Sequence, residues 1–451
     1  MALAWPLAAF GGVYRWATAP YLVAVALLAL TQTGRIRQLC TSDGWLYGTL
    51  ATVVTLAWLQ LVPLPAAAVA WASPATLTVV DTIRLLPRAT GWTPISVSPL
   101  DTAWACALLT ANALLFVAAG ALVARGGVRA TIRVIAWLGI VFGLVALSQM
   151  ATGTNAIYWR WVPYSEGATP FGTFVNRNHF ASWVIMATPV CFGYVIARLH
   201  RTAGDDSTLR WTSRLATGLD GRALILLFAA VLMSVALFLS LSRSGLVGLA
   251  TAAGFMLIAG RRHVDRKRWR WLGVYGAITA TVVAMFADAT DLVGRLLETL
   301  DEGSGRLTIW RETMPVVRDF WAAGTGAGTY QTAMLVYQES NRLFVFNQAH
   351  NQLLQVATEG GLLLSVPALG VTVLFVTRAR RRIGADHMAS RWIRLGAAGG
   401  LVAVGVQSLW ETGLRMPANA ALAVVLAAIV IHAPRQDRHD NGGSHGIAAG
   451  V

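Results

Sequence analysis

The chain has 451 residues, of which 56% are hydrophobic and only 13% charged, and its mean hydropathy is +0.57. That balance excludes a soluble globule and defines a polytopic membrane protein. Its 36 basic and 21 acidic residues leave a net charge of +15, but the arginines fall in short blocks between apolar runs and build no continuous basic face, so the charge is assigned to orientation in a bilayer and no nucleic-acid partner is expected. Cys40, Cys106 and Cys191 lie far apart, so neither a disulfide framework nor a thiolate metal site is indicated. No basic residue precedes the first apolar run, and no removable signal peptide is expected.

A spanning helix needs about 20 mostly apolar residues, and about twelve stretches satisfy that length and composition. In chain order they are Ala2 to Val13, Thr18 to Thr33, Trp45 to Val62, Ala103 to Val123, Val134 to Met150, Phe180 to Leu199, Ala223 to Ser240, Gly245 to Gly260, Trp271 to Ala287, Gly361 to Val376, Leu395 to Trp410 and Asn419 to His432. The first two are short. Fold class is therefore all-α, with about twelve transmembrane helices and a large outer loop between the ninth and tenth.

Short cytoplasmic loops keep their arginines. The blocks Arg125/Arg129/Arg133, Arg201/Arg210/Arg214, Arg261 to Arg270, Arg378 to Arg382 and Arg435/Arg438 all fall on one side under this count, which places both termini in the cytoplasm. Three regions follow: residues 1–171 with N-terminal helices and outer loops, residues 172–433 with the candidate chemistry and its outer segment 288–359, and a tail, 434–451, expected to be disordered. Left outside are a loop from about Leu64 to Asp101, the stretch "YWRWVPYSEGATPFGTFVNRN", the turn "LSRSG" and the segment from about Asp288 to Glu359.

The outer elements carry the polar residues. Asn176, Arg177, Asn178 and His179 stand at the mouth of the sixth apolar run. Arg243, flanked by Ser242 and Ser244 in "LSRSG", reads either as an arginine snorkelling from a turn or as an anion contact with hydroxyl donors beside it. Arg177 allows the same two readings, and its asparagine neighbours favour the second. In "GSGRLTIWRETMPVVRDFWAAGTGAGTY" (303–330), Leu307, Trp310, Met314, Val317 and Trp321 recur at helical spacing and predict an amphipathic helix on the membrane or the bundle, kinked at Pro315. Gly324, Gly326 and Gly328 read as a flexible turn or an anion-cradling nest. His350 and Asn351 precede a helical pattern that leads through Glu359 into the tenth run. One imidazole among several fixed cations suits a general base, and the arginines suit a pyrophosphate leaving group, so the constellation fits displacement of a lipid pyrophosphate by a hydroxyl. No nucleotide-binding GxxxxGK[ST], HExxH or outer Cys/His cluster is present, so no cofactor or metal is expected.

The segments "TFVNRNHFA", "LSRSGL", "GSGRLTIWRETM", "GTGAGTY" and "AHNQLLQVATEGGL" appear in an order and spacing that resemble the O-antigen ligase and polymerase family of bacterial inner-membrane glycosyltransferases, over about Gly172 to Ala420. The resemblance implies a glycan carried on undecaprenyl diphosphate as donor and an acceptor hydroxyl on the periplasmic face, either of lipid A core or of a growing glycan. It implies His350 as base and Arg243 and Arg306 as pyrophosphate ligands, with Arg177 matching less diagnostically. Glu359 takes an acidic position after the histidine helix, to orient a base or bind acceptor, and Asn176, Asn178, His179 and Asn351 are accessory candidates. Ligase, polymerase and a non-catalytic permease with a phosphate-binding gate are the three readings.

The charge pattern makes a direct prediction. On a cysteine-free background, Val345→Cys should react with a membrane-impermeant thiol reagent in intact cells and Asp265→Cys should not; the reverse labelling would invert the topology.

Overall fold

The computed structural model describes residues 1–83, 91–164, 167–204, 220–261, 299–340, 342–343, 345–386 and 388–432. The ninth expected span, Trp271 to Ala287, most of the 261–270 arginine block and the 434–451 tail lie outside these residues.

The described chain is helical apart from a two-residue antiparallel ribbon, β1 (Leu64–Pro65) with β2 (Trp92–Thr93). Its helices are α1 (Ala4–Ala8), α2 (Arg15–Leu30), α3 (Thr33–Ser42), α4 (Gly44–Leu59), α5 (Ala66–Ala72), α6 (Pro74–Ile83), α7 (Pro99–Ala124), α8 (Val128–Ala151), α9 (Arg177–Gly204), α10 (Gly221–Leu239), α11 (Arg243–Gly260), α12 (Thr299–Asp319), α13 (Tyr330–Tyr337), α14 (Gln352–Ala385), α15 (Met388–Gln407) and α16 (Pro417–Ile431). Six of them, α7 to α11 and α14, are long and apolar enough to cross a membrane. The number rises to eight if the bent pairs α2/α3, at 76°, and α5/α6, at 115°, each count as one span, and α4 and α16 are shorter apolar helices. The protein is thus a multi-pass membrane protein.

The stretch 2–13 departs from its expected single helix. Phe10, Gly11 and Gly12 adopt positive φ, and α1 stops at Ala8. Helical geometry requires negative φ, so the chain turns there, with Leu7 buried.

Helix α9 is the axis of the bundle, with 94% of its most apolar window enclosed by protein. Its closest neighbour is α15, and small residues set that approach. A side chain at Gly396 would collide with the carbonyl of Pro189 at 2.3 Å, and one at Gly400 with that of Met186 at 2.7 Å. In a bilayer, where lipid is as apolar as leucine, this small-xxx-small spacing lets backbones close to van der Waals range.

The two expected outer loops are not separate. Val79 and Val80 of α6, Val97, Val316 and Phe320 of α12, Tyr330, Ala333 and Met334 of α13 and Ala349 form a second apolar core, so the described parts of residues 64–101 and 299–350 fold together as a cap on one end of the bundle. Helix α12 forms as expected and runs through Pro315. Its protein-facing side is Thr313, Val316 and Phe320, while Leu307, Met314 and Trp321 are exposed. Two apolar series run along this helix, and periodicity alone does not say which meets the protein.

Cap and bundle are joined by a backbone exchange at Gly361. There α14 breaks, with φ 52° and ψ −154°. The N–H groups freed on its C-terminal side, of Leu362 and Leu363, donate to the carbonyls of Trp321 and Ala322 at 2.8 and 2.9 Å; the carbonyls freed on its N-terminal side, of Thr358 and Glu359, accept from Thr325 and Gly326 at 2.9 and 3.0 Å. The fully buried Gln60 bridges the same loop, donating to the carbonyls of Ala323 (2.8 Å) and Glu359 (3.0 Å) and accepting from Ala327 N–H (2.9 Å). The glycine turn is therefore a tight clasp with the N–H groups of Gly324, Thr325, Gly326 and Ala327 already engaged, which corrects both the flexible-turn and the anion-nest expectations.

Gly361 should be irreplaceable, because a Cβ there would meet Gly324 N at 2.6 Å and Trp321 O at 2.7 Å in a region open essentially to glycine. Gly361→Ala is expected to cost about 2–4 kcal/mol, whereas Gly370→Ala on the same helix, with only Thr49 Cγ2 nearby at 3.4 Å, should be tolerated. Thermal unfolding of the purified protein in detergent compares the two.

Candidate active site

The cap end of the bundle gathers most of the polar residues singled out from the sequence. Its centre, however, is Glu411, in the loop between α15 and α16, with 1% of its side chain exposed. Arg306 Nη2 from α12 donates to Glu411 Oε1 at 2.5 Å, and Asn178 Nδ2 from α9 donates to the same oxygen at 2.8 Å. His350 Nδ1 lies 3.6 Å from Glu411 Oε2, just beyond a hydrogen bond. Burial alone pushes the Glu411 carboxyl up, but His350, Arg306 and His179 together outweigh it and hold the group below the usual carboxylate range.

Local sequence explains each placement. Asn176 caps α9, its Oδ1 accepting from Asn178 N–H at 2.8 Å. Ser242 caps α11, and its hydroxyl donates to Asn178 Oδ1 at 2.7 Å. Ser244 accepts from Gln407 Nε2 at 3.0 Å. These serines are thus supports for the carboxylate's partners, a correction to their expected role as anion donors. Asn351 caps α14, accepting from Leu353 and Leu354 N–H, both at 3.0 Å. His350, immediately before it, has φ 48°, a conformation uncommon for a non-glycine residue and found where surrounding structure enforces it. Ala349 is held on both sides of its peptide, by Trp310 Nε1 at 2.9 Å and Gln355 Oε1 at 2.8 Å.

Arg177 and Arg243 begin α9 and α11 next to Asn178 and Ser242, both half-buried. A cation at a helix N-terminus opposes the helix dipole, so both positions gain from an anion nearby. Glu359 is set apart from His350: its Oε1 accepts from Gln355 Nε2 (2.6 Å) and Tyr330 N–H (3.3 Å) and lies 3.5 Å from Arg415 Nη2. His179 is buried under the same loop, with Asn419 Nδ2 donating to its carbonyl at 3.0 Å. Four buried side-chain atoms in this neighbourhood have no hydrogen-bond partner among the described residues: His350 Nδ1 and Glu411 Oε2, which face each other at 3.6 Å, and His179 Nε2 and Arg415 Nη1. Such atoms are costly when left unpaired, so the last two favour polar groups that arrive from outside.

A helical membrane bundle with a capped, cationic polar centre at one end defines the class. The family model for O-antigen ligase matches residues 228–369, and this match supports the O-antigen ligase family. That segment carries Arg243, Arg306, His350 and Glu359, and it supports a membrane glycosyltransferase of O-antigen ligase or polymerase type. No curated protein matches the chain.

Glu411 and Arg415, in "WETGLRMP", were not singled out from the sequence. The only available signal was an acidic and a basic residue directly after an apolar run, on the outer side that also carries Arg243 and Arg306.

Because the Glu411 carboxyl is held low in the fold, its stabilisation is complete above the unfolded value of about 4.3 and is lost as pH falls through the lower folded value. The wild type should exceed Glu411→Gln in unfolding midpoint at neutral pH, and the gap should narrow as pH falls below about 4.3 toward the lower folded value. A gap that does not change with pH would show that the charge contributes nothing.

Proposed function

We propose that the protein transfers a glycan from undecaprenyl diphosphate to an acceptor hydroxyl on the periplasmic face of the bacterial inner membrane, as an O-antigen ligase with lipid A core as acceptor. The single observation that carries this reading is the buried Glu411 carboxylate held between Arg306 and His350, with unpartnered polar atoms around it. The topology drawn from the arginine blocks, with both termini cytoplasmic, supports the periplasmic side.

With Nδ1 toward Glu411, the other imidazole nitrogen of His350 is the one to meet substrate. It takes the proton of the acceptor O–H as the oxygen bonds to the anomeric carbon; the bond from that carbon to the diphosphate oxygen breaks, and the lipid diphosphate leaves with the electron pair. Glu411 fixes ring orientation and stabilises the imidazolium that forms, the division of labour seen wherever a carboxylate backs a catalytic histidine. Arg306 uses one nitrogen on Glu411, which leaves its remaining donors for phosphate oxygens; Arg243 and Arg177 supply further charge where the leaving group develops.

His350→Ala and His350→Gln should both abolish transfer while binding of the lipid diphosphate persists, since Gln keeps a hydrogen bond but accepts no proton. Arg306→Ala and Arg243→Ala should each lower transfer by about a hundredfold, with Lys retaining part of it. The assay uses purified protein, lipid-linked donor and, in separate reactions, lipid A core or a second lipid-linked glycan as acceptor, with chelator added in parallel and no loss of activity expected. Product only with the second lipid-linked glycan would make the enzyme a polymerase; full transfer by His350→Gln, with loss in His179→Gln, would move the base to His179.

A further inference from the structure

Arg415, like Glu411, is a charged group of this site that neither the sequence motifs nor the matched segment includes. It closes the short 3-10 turn Gly413–Arg415. That turn is fixed from two sides. A side chain at Gly413 would fall 2.2 Å from Ser182 Oγ of α9, and Asn419 Nδ2 at the start of α16 donates to the Gly413 carbonyl at 2.9 Å. The guanidinium is therefore delivered to a set position, with 27% of its side chain exposed.

Its charge is poorly matched. Among the described residues the carboxylate beside it is that of Glu359, whose Oε1 lies 3.5 Å from Nη2, longer than the 2.6 Å bond that the same oxygen accepts from Gln355, and that oxygen also takes the N–H of Tyr330. Nη1 is buried with no partner among the described residues. By contrast, the neighbouring Glu411 has Arg306, Asn178 and His350 arrayed around it. Charged guanidinium donors bind oxyanions in forked pairs, and a buried N–H without an acceptor is retained at a cost unless something completes it. Beside Arg306, which is engaged on Glu411, the cap end thus holds a second guanidinium with a donor in reserve.

We infer that Arg415 binds a phosphate oxygen of the lipid-linked donor, and that Glu359, itself tied to the Gly361 clasp through its backbone carbonyl, positions the guanidinium for it. The inference rests on the reading of the site as one for a lipid diphosphate. It gives Glu359 a role through Arg415, in place of an expected role on the base or acceptor.

The test is equilibrium binding to the full-length protein in nanodiscs, with undecaprenyl diphosphate as probe and uncharged undecaprenol as the control for the lipid chain. Arg415→Gln should weaken diphosphate binding by about tenfold or more, leave undecaprenol binding unchanged and flatten the salt dependence of the diphosphate. Glu359→Gln should produce a smaller loss of the same kind. Where Arg415→Gln fails to fold, Arg415→Lys gives the reading: it keeps the charge without the fork, so a partial loss confined to the diphosphate is expected. Unchanged diphosphate affinity in a folded variant overturns the inference, and so does an equal loss for undecaprenol, which would mark Arg415 as a structural tie. A rise in KM for the acceptor alone, with donor binding intact, overturns it too. Wild type that binds the diphosphate but transfers no glycan would sink the proposed reaction and leave this site standing. Transfer by Arg415→Gln at the wild-type rate and donor KM would sink the site alone.

Discussion

A carboxylate enclosed in protein is stable only if charge and hydrogen bonds replace the water it lost, and at Glu411 that requirement recruits residues from much of the chain. Arg306 comes from α12, Asn178 from α9, and His350 from the entry to α14. Asn178 in turn is held by Ser242 at the entry to α11, and Ser244 by Gln407 at the end of α15, which also accepts from Ser182 at 2.7 Å. The elements that build the site are thus the ones that meet at the cap end of α9, and the small-residue packing of α9 on α15 brings the Glu411 loop within reach of Asn178. A helix pair separated by larger side chains would take Asn178 away from the carboxylate. Packing in the bundle and charge balance at the site are one constraint.

Apolar run length made the long helices legible, because a bilayer demands about 20 apolar residues whatever surrounds them. The serine-flanked turn, the asparagines before α9 and the histidine before α14 were visible as polar residues at the ends of such runs, and the structure brings their neighbours onto a single carboxylate. Glu411 was not legible, since a lone acid beyond the eleventh run looks like an ordinary helix end; only the folded chain shows that it is buried. The cap was illegible for a related reason. Val79, Val97 and Phe320 lie far apart in sequence, and hydropathy scores each stretch alone, with no view of which two will share a core. The glycines of "GTGAGTY" announced a backbone that side chains would obstruct, but their partner, the break at Gly361, lay in what read as a helix start.

That break divides α14 into two mechanical parts. The turns before Gly361 carry Asn351, Gln355 and Glu359 and are stitched by hydrogen bonds to residues 325–326, while the turns after it are stitched to residues 321–322. The entry to α14 is tied to the bundle as well, since Gln352 N–H donates to the Ser408 carbonyl at 2.8 Å and Thr412 Oγ1 donates to Gln348 Oε1. His350 therefore sits in a frame closed from both sides, by the clasp at Gly361 and by the loop that carries Glu411 between α15 and α16. The carboxylate and the imidazole are thus held in register by the backbone around them as well as by their charges.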